Sequence, residues 1–123
     1  VVEAVRIPHS GWPTRQTDTE NLAFRVTLDG TTTVVHLGDA DTSDAHFTRD
    51  AAYWGRRRTR VAFPPYWFFT TDEGRKVLNT RLNAARSIGV HVPRDVPSES
   101  GRREPELRGH ELFTTPGEVR DIR

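Results

Sequence analysis

Val34-Val35-His36-Leu37-Gly38-Asp39-Ala40-Asp41 decides how this chain is read, because an apolar strand stops at a glycine and presents a carboxylate at its end. Upstream, the apolar positions from Leu22 to Leu28 alternate as in a half-buried strand. Asp29-Gly30 is a two-residue hairpin signal, and Thr31 to Leu37 returns as a β-branched strand. Downstream, Thr42-Ser43-Asp44 offers capping residues, and Ala45, Phe47, Ala51, Ala52 and Trp54 are expected on one face of a helix ending near Gly55. Asp39 therefore falls between a strand end and a helix start. On the residues alone it is either a helix cap or a metal ligand, and both roles stay open.

Further strands are expected over Val1 to Ile7, Thr59 to Phe63 and Ser87 to His91, with a helix capped by Thr70 or Thr71 and running to about Ala85. Val77, Leu78 and Leu82 form that helix's buried side. Strands alternating with helices at these spacings predict an α/β layer. The polar stretch 93–110 reads as a mobile loop, and Glu111 to Thr114 with Glu118 to Ile122 as a closing strand pair.

Two histidines also sit just past apolar segments, His9 after Val5-Arg6-Ile7-Pro8 and His91 after Ile88-Gly89-Val90. Imidazole and carboxylate are standard ligands for zinc and similar divalent ions. With no cysteine, any metal site here is built from nitrogen and oxygen alone. Each histidine also has a plainer reading, an exposed loop residue for His9 and a polar strand end for His91. Asp41, Asp44 and His46 are expected as caps or surface groups, with orienting hydrogen bonds to the ligands as their alternative role. Trp12, Tyr66 and Trp67 are candidates for a substrate-binding wall. Phe68 and Phe69 are expected to pack against a part of the fold not contained in these residues.

In order and approximate spacing, His9, the Gly38-Asp39 pair and His91-Val92-Pro93 match three metal-ligand positions of the metallo-β-lactamase fold hydrolases, which this chain resembles over nearly its whole length. The segment Glu20 to Val26, the hairpin behind it and the closing Pro116-Gly117-Glu118-Val119 add to the likeness. The resemblance implies half of an αββα sandwich, a mixed sheet with helices on one face, forming a single partial domain that corresponds to the family's C-terminal half. It further implies a metal-dependent hydrolase that uses activated water on an ester, amide, lactone or phosphodiester of a small-molecule substrate. His9, Asp39 and His91 would be ligands to one or two zinc ions, with iron or manganese also suited, and Asp39 would have a catalytic role. The family's HxHxDH motif does not occur in this sequence. The remaining ligands are therefore expected from a missing N-terminal half or a second chain, and these residues alone are expected to be inactive. A valine start and the lack of methionine fit that expectation of a fragment.

The competing functional class is a non-catalytic partner-binding or structural module with a degenerate metal site. No apolar run approaches the roughly 20 residues that span a bilayer, so a cytoplasmic protein without membrane contact is expected. The Arg56-Arg57-Arg58 and Arg60 cluster lacks interleaved aromatics and follows a helix C-terminus, where cations are favoured in any case. Nucleic-acid binding is not expected from it.

Overall fold

The computed structural model describes residues 1–11 and 20–122. Trp12 lies outside the described residues. Six strands, β1 (Val2–Arg6), β2 (Leu22–Leu28), β3 (Thr32–His36), β4 (Val61–Phe63), β5 (Arg86–Gly89) and β6 (Glu111–Leu112), lie side by side in chain order in one mixed sheet. β1, β2 and β3 are antiparallel neighbours, whereas β3 to β6 run parallel. The expected α/β class is therefore observed. The hairpin follows from its turn: Asp29 and Gly30 both have positive φ, 50° and 72°, as a type I′ turn requires.

Between β3 and β4 the chain forms α1 (Asp44–Thr48) and α2 (Ala51–Gly55) instead of the single helix expected. Asp50 leaves helical geometry at φ −110°, and Arg49 is drawn out to the Arg6 carbonyl at 2.8 Å. The break shifts the helical phase, so Ala45, Ala51 and Ala52 are exposed while His46, Phe47 and Trp54 are buried. Between β4 and β5 lie α3 (Trp67–Thr70), α4 (Asp72–Lys76) and a π-helical turn over Val77–Arg81. Thr71 caps α4 as expected, its hydroxyl accepting the Gly74 N–H at 3.1 Å. This helical run stops short of Ala85 because Asn83 adopts a left-handed conformation, φ 46°, which closes a helix end. Asp44 joins the two connections through Arg81 at 2.8 Å and Lys76 at 3.2 Å.

All helices cover one face of the sheet. Phe47, Trp54, Phe68, Phe69, Val77, Leu78 and Leu82 pack there on Val35, Leu37 and Ala62. Phe68 and Phe69 thus fill this chain's own core, which corrects the expectation that they serve a part of the fold lying elsewhere. Arg25 is a departure from simple patterning. Its side chain is 2% exposed, donating to Glu3 at 2.8 Å and to the Tyr53 carbonyl at 2.7 Å, with the guanidinium 3.9 Å over the Tyr53 ring. Phe24, Val26 and Leu28 consequently point to the opposite face. Strand register continues that face through Val2 and Ala4 on one side and Val34 and His36 on the other. At β1 and β2 it is open, with Val2 67%, Leu22 44% and Phe24 40% exposed. Over β4 and β5 the closing segment returns across it, Phe113 stacking on Phe63 and Arg86 donating to the Asp121 carbonyl.

The 93–110 stretch contains two short 3-10 turns, Ser100–Arg102 and Pro105–Leu107. It is organised by Arg103, which is 6% exposed and donates to the carbonyls of Pro97, Ser98 and His110 at 2.7–2.8 Å. The expected closing strand pair does not form. β6 joins β5, and the Glu118 carboxylate instead accepts from the backbone N–H groups of Thr114 and Thr115 at 3.0 and 2.6 Å. Arg120 and these donors hold the Glu118 carboxyl down to about 2, against an ordinary value of 4.5. A carboxyl depressed on folding stabilises the fold fully above its unfolded pKa and loses that contribution as pH falls through the folded one. Glu118→Gln is therefore expected to be less stable than the parent at pH 6, with the gap shrinking between pH 4.5 and about 2. Thermal melts of both proteins across that window check this, and a constant gap would refute it.

Candidate functional site

The parallel arrangement places the C-terminal ends of β3 and β5 on one sheet edge, the place where open α/β sheets bind ligands. After β3, Leu37 still pairs with β4, its N–H reaching the Phe63 carbonyl at 3.2 Å. Gly38 then turns the chain at φ 61°. The turn is held by Asn21, whose Oδ1 accepts the Asp39 N–H at 2.8 Å while its Nδ2 donates to the Leu37 carbonyl at 3.1 Å. His36 adds a second brace, Nδ1 accepting the Gly38 N–H at 3.0 Å. On the other side, Val90 donates to the Pro64 carbonyl and accepts from Tyr66, both at 2.9 Å, which carries the ladder up to His91.

His9 reaches the same place from β1. Its loop is clipped to the Asp39 turn from both sides, Ser10 N–H to the Asp39 carbonyl and Asp41 N–H to the Pro8 carbonyl, each 2.8 Å. The three residues singled out from sequence therefore converge. His9 Nε2 lies 3.4 Å from Asp39 Oδ2, and His91 Nε2 lies 3.4 Å from Asp39 Oδ1. One carboxylate thus faces two imidazoles, one oxygen to each. Asp39 is 41% and His91 57% exposed in its side chain, so the group has an open side.

Two details bear on what this arrangement can hold. His9 Nδ1 sits 3.1 Å from the Ser10 carbonyl and 3.3 Å from the Ser10 hydroxyl, which leaves Nε2 turned toward Asp39. A divalent cation ligated by both Nε2 and the carboxylate is one arrangement that this geometry admits. The spacing agrees: 3.4 Å is long for a charge-assisted hydrogen bond. It is close to the roughly 3.3 Å edge of a tetrahedron whose metal–ligand bonds are about 2.0–2.1 Å. In donor type and pairwise spacing each histidine–aspartate pair fits a divalent ion. Among the described residues no group of three or more histidine, cysteine, aspartate or glutamate side chains could hold one, so the trio does not converge on a single ion.

His91 is held at φ 57°, a left-handed conformation in which glycine is at ease and a β-carbon is not. His91→Gly is therefore expected to be more stable than His91→Ala by about 1 kcal/mol, the reverse of the usual order. Denaturant unfolding of the two variants measures it, and equal midpoints would argue against a strained backbone here.

Trp67 adjoins the group. Its indole N–H donates to the Ala40 carbonyl at 2.9 Å and its ring meets His91 edge-on, centroids 5.2 Å apart. Tyr66 stands against Trp67 with ring centroids 5.6 Å apart, so of these two candidate wall residues Trp67 meets His91 directly and Tyr66 packs on Trp67. Asp41 turns away to His46 Nε2 at 3.2 Å and the Ser43 N–H at 3.0 Å, forming a brace beside the site. Asp44 belongs to the Arg81 and Lys76 pair, which holds its carboxyl well below the usual carboxylate range. His110 stacks on Phe69 at 4.3 Å. Asn21 escaped the sequence reading, because a lone asparagine before a strand has no pattern that marks it as a brace. Compared with protein-family models, curated proteins and solved structures, the chain matches none.

Proposed function

We propose that the chain is the metal-binding half of a metallo-β-lactamase type hydrolase, with His9, Asp39 and His91 supplying part of the coordination of one or two zinc-like ions. The observation that carries this reading is the shared carboxylate, each Asp39 oxygen 3.4 Å from a different histidine Nε2. Bound there, a divalent ion would supply Lewis acidity and activate water for attack on an ester, amide, lactone or phosphodiester. The chain's own residues do the positioning. Ser10 holds the His9 ring at Nδ1, Asn21 orients the Asp39 turn, and Trp67 ties Ala40 to the His91 side while presenting an apolar wall to substrate.

The finer architecture, half of an αββα sandwich, is part of the same proposal. It is supported by the apolar sheet face left open at Val2, Leu22 and Phe24, the kind of surface that a second sheet covers at about 10 Å. That second layer is also where the remaining ligands would originate. The structure has no helix long and apolar enough to cross a membrane among the described residues; a cytoplasmic location is part of the proposal.

Elemental analysis of the purified protein, followed by zinc titration, tests the reading. About one to two equivalents of metal are expected, bound weakly in the absence of further ligands. No uptake at any zinc concentration would overturn it and favour the partner-binding alternative, for which the same open apolar face would be the contact surface.

A further inference from the structure

The end of the sheet opposite His9, Asp39 and His91 holds a second feature. The start of β3 and the approaches to β4 and β5 enclose a cleft of about 560 Å³, lined by Thr31, Thr32, Arg58, Arg60, Ala85 and Ile122. Its size suits a small ligand. Thr59, 2% exposed, is the pivot: in an extended segment its burial sends the flanking Arg58 and Arg60 outward on the same side. The backbone beneath them is fixed at both ends, Arg60 N–H to the Thr33 carbonyl at 2.7 Å and Ala85 N–H to the Thr59 carbonyl at 2.9 Å.

Neither arginine has a counter-charge among the described residues, whereas Arg6 pairs with Glu20, Arg25 and Arg56 with Glu3, Arg81 with Asp44, Arg86 with Glu111 and Arg120 with Glu118. Arg57, Arg103 and Arg108 also lack a carboxylate but donate to backbone carbonyls. Arg58 and Arg60 line one cleft together and, among the described residues, neither guanidinium has a hydrogen bond or ion pair. Two like charges lining one cleft repel each other, and an anion between them offsets that cost. The guanidinium fork matches phosphate oxygens in pairs, and Thr31 and Thr32 add hydroxyl groups that donate to the same kind of acceptor.

We propose that this cleft is a phosphate-binding site, taking a free phosphate or the phosphate monoester of a small molecule, and that it is separate from the histidine and aspartate cluster. It stands independently of the hydrolase reading. The test is amide chemical-shift titration of the metal-free protein at constant ionic strength, with inorganic phosphate in one arm and adenosine monophosphate in the other. Saturable shifts at Thr31, Thr32 and Ala85 are expected, with His9 and His91 unmoved. The Arg58→Gln/Arg60→Gln variant should weaken binding by at least about tenfold, and Arg94→Gln, which alters an arginine outside the cleft, should not. Tighter binding of the nucleotide would identify the ester as the ligand form, and equal binding free phosphate. Shifts that chloride reproduces, or that survive the double variant, would overturn the proposal. So would a single-stranded oligonucleotide that binds far more tightly and spreads its footprint over Arg56 and Arg57, since that would make the surface a nucleic-acid track.

Discussion

Asp39→Ala is expected to lower zinc affinity by at least about 100-fold while leaving the fold intact. Residues that only orient a metal ligand typically account for about 10–100-fold, and on the proposed reading Asp39 is itself a ligand, so its loss should cost more. The stability part of the argument rests on where Asp39 is held. Its backbone supplies the contacts, the N–H to Asn21 and the carbonyl to Ser10, and both survive truncation of the side chain. The side chain is 41% exposed and faces His9 and His91, with His36 near enough to feel its charge. Zinc titration followed by calorimetry, alongside a thermal melt without metal, measures both quantities. Retained zinc affinity in the variant would remove Asp39 from the site, and with it the bridging role that makes His9 and His91 a single group. Asp39→Asn adds a sharper comparison, since it keeps the shape and one carbonyl oxygen but loses the charge. Its affinity should lie near that of alanine if each carboxylate oxygen serves a separate ion.

How much of this arrangement was legible in the sequence depends on the range of the forces involved. The hairpin was legible because its determinants are local, alternating strands joined by Asp29-Gly30, whose positive φ values only a few residue types tolerate. The meeting of Asp39 and His91 followed from a topological rule, since the ends of parallel strands share an edge, and β3 and β5 flank β4. The broken helices were not legible. A heptad-like count over Ala45 to Trp54 assumes one unbroken helix, and the excursion at Asp50 depends on Arg49 reaching Arg6, a partner 43 residues away. Likewise, nothing in the local pattern announces that Arg25 and Arg103 are interior residues. Arg25 is buried because the Glu3 carboxylate and the Tyr53 carbonyl, 22 and 28 residues away, meet at its guanidinium, and Arg103 because its loop folds the Pro97, Ser98 and His110 carbonyls around it; both arrangements exist only in the folded chain.

Arg25 also explains the inversion of the sheet. In β2 the apolar residues Leu22, Phe24, Val26 and Leu28 occupy one face, and Ala23, Arg25 and Thr27 the other. Simple patterning assigns the apolar set to the helix-covered core. The helices instead cover the Arg25 face, and the guanidinium fills the space beneath α2 by stacking on Tyr53. The price of an apolar open face is reasonable if another layer covers it, which is why the buried arginine and the sandwich proposal bear on each other.

Gly38→Ala is expected to destabilise the protein by about 2–4 kcal/mol. Two costs combine. An alanine held at φ 61° gives up about 1–2 kcal/mol to left-handed strain. Its β-carbon would also collide with Asn21 Oδ1 and crowd the Leu22 carbonyl at 3.1 Å, and overpacking of this sort costs about 1–3 kcal/mol. In a domain of this size that corresponds to a fall in Tm of roughly 10 °C. Because Asn21 Oδ1 is the atom that accepts the Asp39 N–H, relief of the clash pulls the brace off the turn, and zinc affinity should fall with stability. A double-mutant cycle separates the steric cause from the conformational one. Asn21→Ala alone removes two hydrogen bonds, but in the Gly38→Ala background it also removes the atom being struck. The double variant is therefore expected to be more stable than the sum of the single effects predicts, by about 1 kcal/mol or more. Strict additivity would mean that left-handed strain alone, and not the clash with Asn21, makes Gly38 necessary.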